Sequence, residues 1–220
     1  MKTMRYSKAL LILIFLILPQ KLFAQQPQDF YPLHVGNIWV YEVWFQGRLT
    51  GYDTVRVVKD TVMPNGKNYA VVLGRWRSTE RISDSLATFK YDRLDEDHDT
   101  ATTELLLERF NAQVGETWRT FKYANEAKML SSYQTVLFGD TAVVKVIDYT
   151  AQPSGLFTAR NHYSRVHGLI YSAEEGGASY TLVGTRINGV AYGTLTSVPY
   201  VAPVAPQTAA LKNPFPNPFN

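Results

Sequence analysis

The chain contains no cysteine in 220 residues. That removes disulfides, thiol nucleophiles, zinc–cysteine sites and iron–sulfur ligation together. Without cross-links, the fold has to hold by apolar burial and backbone hydrogen bonds. Beyond the first two dozen residues there is no apolar run approaching the roughly 20 residues a membrane-spanning helix needs. No segment carries a convincing helical stripe, and Glu104 to Arg109 comes nearest to one. Neither G-x-S-x-G nor H-E-x-x-H occurs, and no glycine-rich phosphate loop is present. The expectation is a chain that is not an enzyme.

What is present begins with an export segment. Lys2, Arg5 and Lys8 precede the uncharged apolar run Ala9 to Leu18, and Pro19 to Ala24 then breaks the helix and ends on a small residue. This order of parts marks a cleavable secretory signal peptide over residues 1–24, a substrate for the Sec export machinery and signal peptidase. Gln25 follows the cleavage site, where a lipid anchor would need cysteine. Four cations (Lys2, Arg5, Lys8, Lys21) and no anion lie in this segment. Its loss turns 22 Lys+Arg against 19 Asp+Glu into 18 against 19, a net charge of −1. The basic balance of the whole chain therefore gives no support for nucleic-acid binding.

The remaining 196 residues suffice for one domain with a sizeable core. Tyr, Phe, Trp, Val, Ile and Thr fall in short runs separated by Gly, Asn, Asp and Pro, which reads as strands and turns. Strands are expected at 38–46, 54–62, 68–76, 86–91, 105–110, 118–123, 132–138, 142–149, 156–165, 169–172, 179–187 and 190–192. Turns are expected at Gly47-Arg48, Asn65-Gly66, Gly139-Asp140, Glu174 to Gly177 and Asn188-Gly189. Turn signals this closely spaced leave no room for helical crossovers. The fold class is all-β, an antiparallel meander over 25–198 forming a curved sheet, a barrel or a sandwich. Val35-Gly36-Asn37-Ile38-Trp39 and Val114-Gly115-Glu116-Thr117-Trp118 share V-G-x-x-W. Two readings stay open: halves of a duplication, or two similar turn-to-strand joints.

After Val198 the texture changes. Residues 199–211 form a Pro/Ala linker, and Lys212 to Asn220 opens a further element. Asn213-Pro214-Phe215-Pro216-Asn217-Pro218-Phe219-Asn220 resembles the start of the C-terminal sorting domain of type IX secretion, with Phe215 where tyrosine is commoner. That domain continues as a small immunoglobulin-like sandwich, so the resemblance implies a module that should follow. Its motif residues here are Pro216, Asn217, Pro218, Phe219 and Asn220. Phe30 to Tyr41 (FYPLHVGNIWVY) and Leu182 to Gly193 resemble the two ends of secreted β-rich domains from type IX-exporting bacteria of the Bacteroidetes and Ignavibacteria. The resemblance implies an extracellular or cell-surface cargo that passes through the periplasm and meets the type IX machinery. It implies no reaction.

Candidate sites are few. Asp95, Asp97 and Asp99, within the acidic run that starts at Asp92 and includes Glu96 and His98, offer oxygen ligands suited to Ca²⁺, although the EF-hand glycine is missing. His162 and His167 are five apart and are expected on opposite faces of one strand. Asp53 and Asp84 are carboxylates available for glycoside hydrolysis, with no spacing that argues for it. Trp39, Trp44, Trp76 and Trp118, among fourteen tyrosines, are candidates to line a groove for a glycan or a hydrophobic ligand. The leading expectation is a non-catalytic extracellular β-domain with binding, adhesive or structural duties. A barrel-like binder of a hydrophobic ligand or glycan is the alternative, and a hydrolase ranks third.

Overall fold

The computed structural model describes residues 30–195 apart from 75–76, 84–85, 94–101 and 121–125. The described residues hold no helix and thirteen strands. These are β1 (Ile38–Phe45), β2 (Arg48–Val62), β3 (Asn68–Leu73), β4 (Arg77–Ile82), β5 (Ala87–Arg93), β6 (Thr102–Arg109) and β7 (Thr117–Arg119). Then follow β8 (Glu126–Leu137), β9 (Asp140–Ala151), β10 (Leu156–Ser164), β11 (Gly168–Glu174), β12 (Ala178–Ile187) and β13 (Val190–Gly193). All belong to one antiparallel sheet, in the order β6-β5-β4-β3-β2-β1-β12-β11-β10-β9-β8-β7, with β13 on β12. The fold is therefore two meanders, β1–β6 and β7–β12, joined along the β1–β12 ladder.

The sheet curls until its ends nearly meet, so the open alternatives resolve to an almost closed barrel. At the seam Trp118 Nε1 donates to the Leu107 carbonyl (3.3 Å), and Thr120 Oγ1 donates to those of Leu107 (2.8 Å) and Leu106 (3.0 Å). Side chains thus satisfy the β6 edge, which would otherwise present unpaired carbonyls. The wall closes over two packed clusters. One holds Phe30, Phe110, Trp118, Met129, Ile147, Tyr149 and Tyr163, and the other Trp39, Tyr41, Val57, Val72, Leu182 and Ile187. Leu169 packs against both.

The segment Phe30–Asn37 stoppers one end. Phe30 stacks on Phe110 (5.3 Å), and Tyr31 touches both Trp39 (6.3 Å) and Tyr163 (6.2 Å). Asn37 ties this segment down. Its Nδ2 donates to the Pro32 carbonyl (2.8 Å), and its Oδ1 accepts from Asn188 N (2.8 Å).

The strand pattern holds with local corrections. The expected strand 68–76 stops at Leu73, and β4 was not anticipated because Arg77-Ser-Thr-Glu-Arg has no apolar alternation. β7 is only three residues long, whereas β2 and β8 each begin six residues earlier than expected. Glu104 to Arg109 is strand, not helix. The β1–β2 turn is Gln46-Gly47 and the β8–β9 turn Phe138-Gly139, one residue before each expected pair. The turn at Asn65-Gly66 has positive φ at the glycine only and so is not type I′, whereas at Asn188-Gly189 both residues have positive φ.

Candidate ligand-binding face

Directly opposed residues in an antiparallel ladder share a face. Trp39, Tyr41 and Leu182 fix the inward phase of the wall, and Tyr149, Ala159 and Tyr163 fix it on β9 and β10. The indole assignments follow. Trp39 and Trp118 lie inside, 2% and 7% exposed, and each belongs to a different cluster. Trp44 lies on the outside, its Nε1 donating to Glu42 Oε2 (3.2 Å). The structure does not bring these three together. Trp76 lies outside the described residues, as do Asp84 and the run containing Asp95, Asp97 and Asp99. No group of three or more metal-ligating side chains occurs among the described residues.

Inward polar groups are bonded to one another. The fully buried Glu108 of β6 accepts from Tyr163 OH (2.6 Å), Tyr149 OH (3.3 Å) and the Thr88 hydroxyl. Tyr163 OH accepts from Asn161 Nδ2 (3.2 Å), and Asn161 Oδ1 accepts from Ser172 (2.7 Å). A buried carboxylate is tolerated only with such partners. This chain of bonds ties β5 and β6 to β9, β10 and β11 across the barrel.

A second cluster crosses β3 to β6. Glu104 binds Arg81, Lys67 Nζ (2.6 Å) and Tyr69 OH (2.6 Å). The Arg81 guanidinium, ahead of the other two, holds the Glu104 carboxyl down to about 2.

One corner of the stoppered end is unlike the rest. His167 sits in the β10–β11 turn, not on a strand as expected, after Val166 at φ 101°. A β-branched residue there is strained. The His167 ring is fully buried between Phe138 (5.3 Å) and Tyr192 (4.8 Å), and neither ring nitrogen has a hydrogen-bond partner. Burial keeps its pKa below the ordinary histidine value. Its carbonyl accepts from Trp39 Nε1 at 2.7 Å.

Away from the stopper, Val43, Thr50, Gly51, Tyr52, Asp53 and Tyr180 line an open depression of about 380 Å³. Asp53 opposes Tyr41, and both Gly51 and Tyr180 oppose Val43, so these belong to the inner face at the mouth.

Outside, over β8 to β11, the outward positions carry aromatic rings where an exposed sheet face usually carries small polar groups. His162 Nδ1 lies 3.4 Å from Tyr133 OH, and its ring meets Tyr171 edge-on at 5.2 Å. One row along, Arg160 grips Asp148 through Nε (2.5 Å) and Nη2 (2.7 Å) and sits over the Phe157 ring (5.9 Å). Tyr133 and Phe157 are each 42% exposed. Burial, then the nearby Arg160 charge, lowers the His162 pKa, so the ring is neutral at pH 7. Tryptophan content did not point here. The strand phase did: His162 falls between the inward Asn161 and Tyr163.

No protein-family model matches the chain, and no curated protein matches it. Among solved structures it is similar to a candidate lipoprotein from Parabacteroides distasonis, at 12% identity and a TM-score of 0.37, covering 72% of this chain and 98% of that one. It is also similar to a candidate exported protein with YmcC-like fold from Bacteroides fragilis, at 13% identity and a TM-score of 0.38, covering 70% and 97%. At such TM-scores neither likeness carries an argument about this chain.

Proposed function

We propose that the chain is an exported, non-catalytic β-domain, carried to the cell surface as type IX cargo, whose outer wall does its binding or adhesive work. The observation that carries this reading is the inner bonding chain of Glu108, Tyr149, Tyr163, Asn161 and Ser172. The wall's interior chemistry holds strands together, and the environment meets the outward side chains. The leading segment at 1–24 supports export through Sec and cleavage by signal peptidase, and Pro216 to Asn220 supports onward export through the type IX machinery.

The test uses the chain expressed from its own gene with an epitope in the exposed Asn65-Gly66 turn. Surface labelling of intact cells should be strong, and it should disappear in a strain lacking the type IX translocon while signal cleavage continues. Undiminished labelling in that strain would remove the type IX reading.

A second reading, a cup for a small hydrophobic ligand, is favoured by the depression at Val43, Asp53 and Tyr180. Fluorescent fatty-acid displacement tests it: binding lost in Tyr180→Ala supports the cup, and no binding ends it.

A further inference from the structure

We propose that the outer patch of Tyr133, His162 and Tyr171, with Arg160, Asp148 and Phe157 beside it, is a binding site for the rings of a neutral glycan chain. This deepens the reading of an outer wall that binds, and names the class of ligand.

Three observations carry it. First, the patch is a lattice built on strands. His162 opposes Tyr171 on one side and Val146 on the other, and Arg160 opposes Ala173 and Asp148 in the next outward row. Neighbouring strands are about 4.8 Å apart, and outward positions along one strand about 6.6 Å. Aromatic and hydrogen-bonding groups therefore repeat over ring-sized distances on a rigid support.

Second, the patch mixes the two chemistries that a sugar ring presents. Tyr133, Tyr171 and Phe157 offer aromatic surface to an apolar C–H face, while phenol, imidazole, guanidinium and carboxylate groups sit among them for hydroxyls.

Third, its charge cancels. Arg160 is held by Asp148, Lys128 opposes Asp148 from β8, Glu42 opposes Thr181 from β1, and the row of Phe157 continues through Thr150 to Glu126 and Arg119, so the outward rows carry three cations and three anions. With His162 neutral, no surplus charge remains to select a phosphate, an acidic polymer or an anionic membrane. A neutral, hydroxyl-rich chain is the occupant that fits.

Cross-strand aromatic pairs also stabilise sheets by roughly 0.2–1 kcal/mol, so the test needs a readout that packing alone would not move. Residues 25–220 are titrated with neutral oligosaccharides (mannohexaose, laminarihexaose, cellohexaose), with oligogalacturonate and with phosphatidylglycerol vesicles. The expected result is binding of at least one neutral oligosaccharide with Kd on the order of 1 mM or tighter. Tyr171→Ala and Tyr133→Ala should each weaken it roughly tenfold, whereas Val62→Ala, at the exposed end of β2, should leave it unchanged. Folding of every variant is checked by near-UV circular dichroism, and a Tyr171→Phe variant retaining most affinity assigns the effect to ring stacking. The proposal is overturned by no neutral binding, by preferential binding of oligogalacturonate or vesicles, or by equal losses in Val62→Ala. A surface-labelling result that supports export would stand in any of these cases, so the two readings fail separately.

Discussion

At Trp39 the indole N–H reaches the His167 carbonyl, 128 residues away in the chain, whereas at Trp118 it reaches the Leu107 carbonyl, 11 residues away. Both indoles are introduced by the same local device. Gly36 and Gly115 have φ of 93° and 92°. Gly36 N donates to the Val57 carbonyl and Val57 N to that of Asn37; Gly115 N donates to the Met129 carbonyl and Met129 N to that of Glu116. The ladder then slips by one residue straight after each partner, at Val58 in β2 and Leu130 in β8. Each joint opens a six-strand meander. Matching hydrogen bonds and matching bulges fit the duplication reading better than two coincident turns. The difference lies in what the indole seals: one locks the stoppered end across the barrel, and the other closes the seam.

Removing the two indole rings should have the largest effect. Trp39→Ala should cost about 4–5 kcal/mol by urea unfolding, at the upper end for a buried tryptophan. Trp118→Ala should cost about 3 kcal/mol, because its longer bond and greater exposure leave less to lose. Equal costs would mean that the seam and the stoppered end matter alike.

Acid should separate the joints next. His167 abuts the first joint; burial disfavours its protonation, and the charge of Asp140 opposes that in part. The folded-state pKa lies below the unfolded value, so stability is full above that value and falls as pH drops through it. The loss approaches about 1.4 kcal/mol per pH unit once the unfolded state alone is protonated. Wild type should weaken between pH 7 and 5, and His167→Leu should weaken markedly less. Parallel profiles would remove His167 as the cause.

The glycines sharpen the likeness. A Cβ at Gly36 or Gly115 meets no atom within 4 Å, so alanine there tests backbone strain alone. Each substitution should cost roughly 1–2 kcal/mol, and the two values should agree within about 0.5 kcal/mol. A clear inequality would show that the joints differ locally as well as globally.

The smallest effect concerns Glu104, whose cluster belongs to the first meander. Its carboxyl is lowered to about 2 from 4.5, so its contribution is present above 4.5 and lost as pH falls towards 2. Glu104→Gln should cost about 1 kcal/mol at pH 7 and flatten that acid limb. An unchanged acid limb would place the titration elsewhere.

The all-β class, the turn-rich spacing and the two V-G-x-x-W joints were legible in the residues because alternation and turn chemistry act locally. The pairing of β1 with β12 was not, since nothing near Ile38 names a partner around 140 residues on. Nor were the bulges at Val58 and Leu130, which have no turn residue to mark them. Counting tryptophans pointed at a groove, yet Trp39 and Trp118 are core residues, and the outward rings over β8 to β11 are the exposed Tyr133 and Phe157 with the half-buried Tyr171. Only the phase of each strand, set by which neighbour is inward, separates core aromatics from outward ones.

Two equivalent joints belong to a single, nearly closed barrel. Native-state hydrogen exchange of four amides, Gly36, Val57, Gly115 and Met129, tests it most directly. If the halves form one cooperative unit, all four should exchange with the same free energy, equal to that of global unfolding. Two tiers, with Gly115 and Met129 opening while Gly36 and Val57 stay protected, would contradict it.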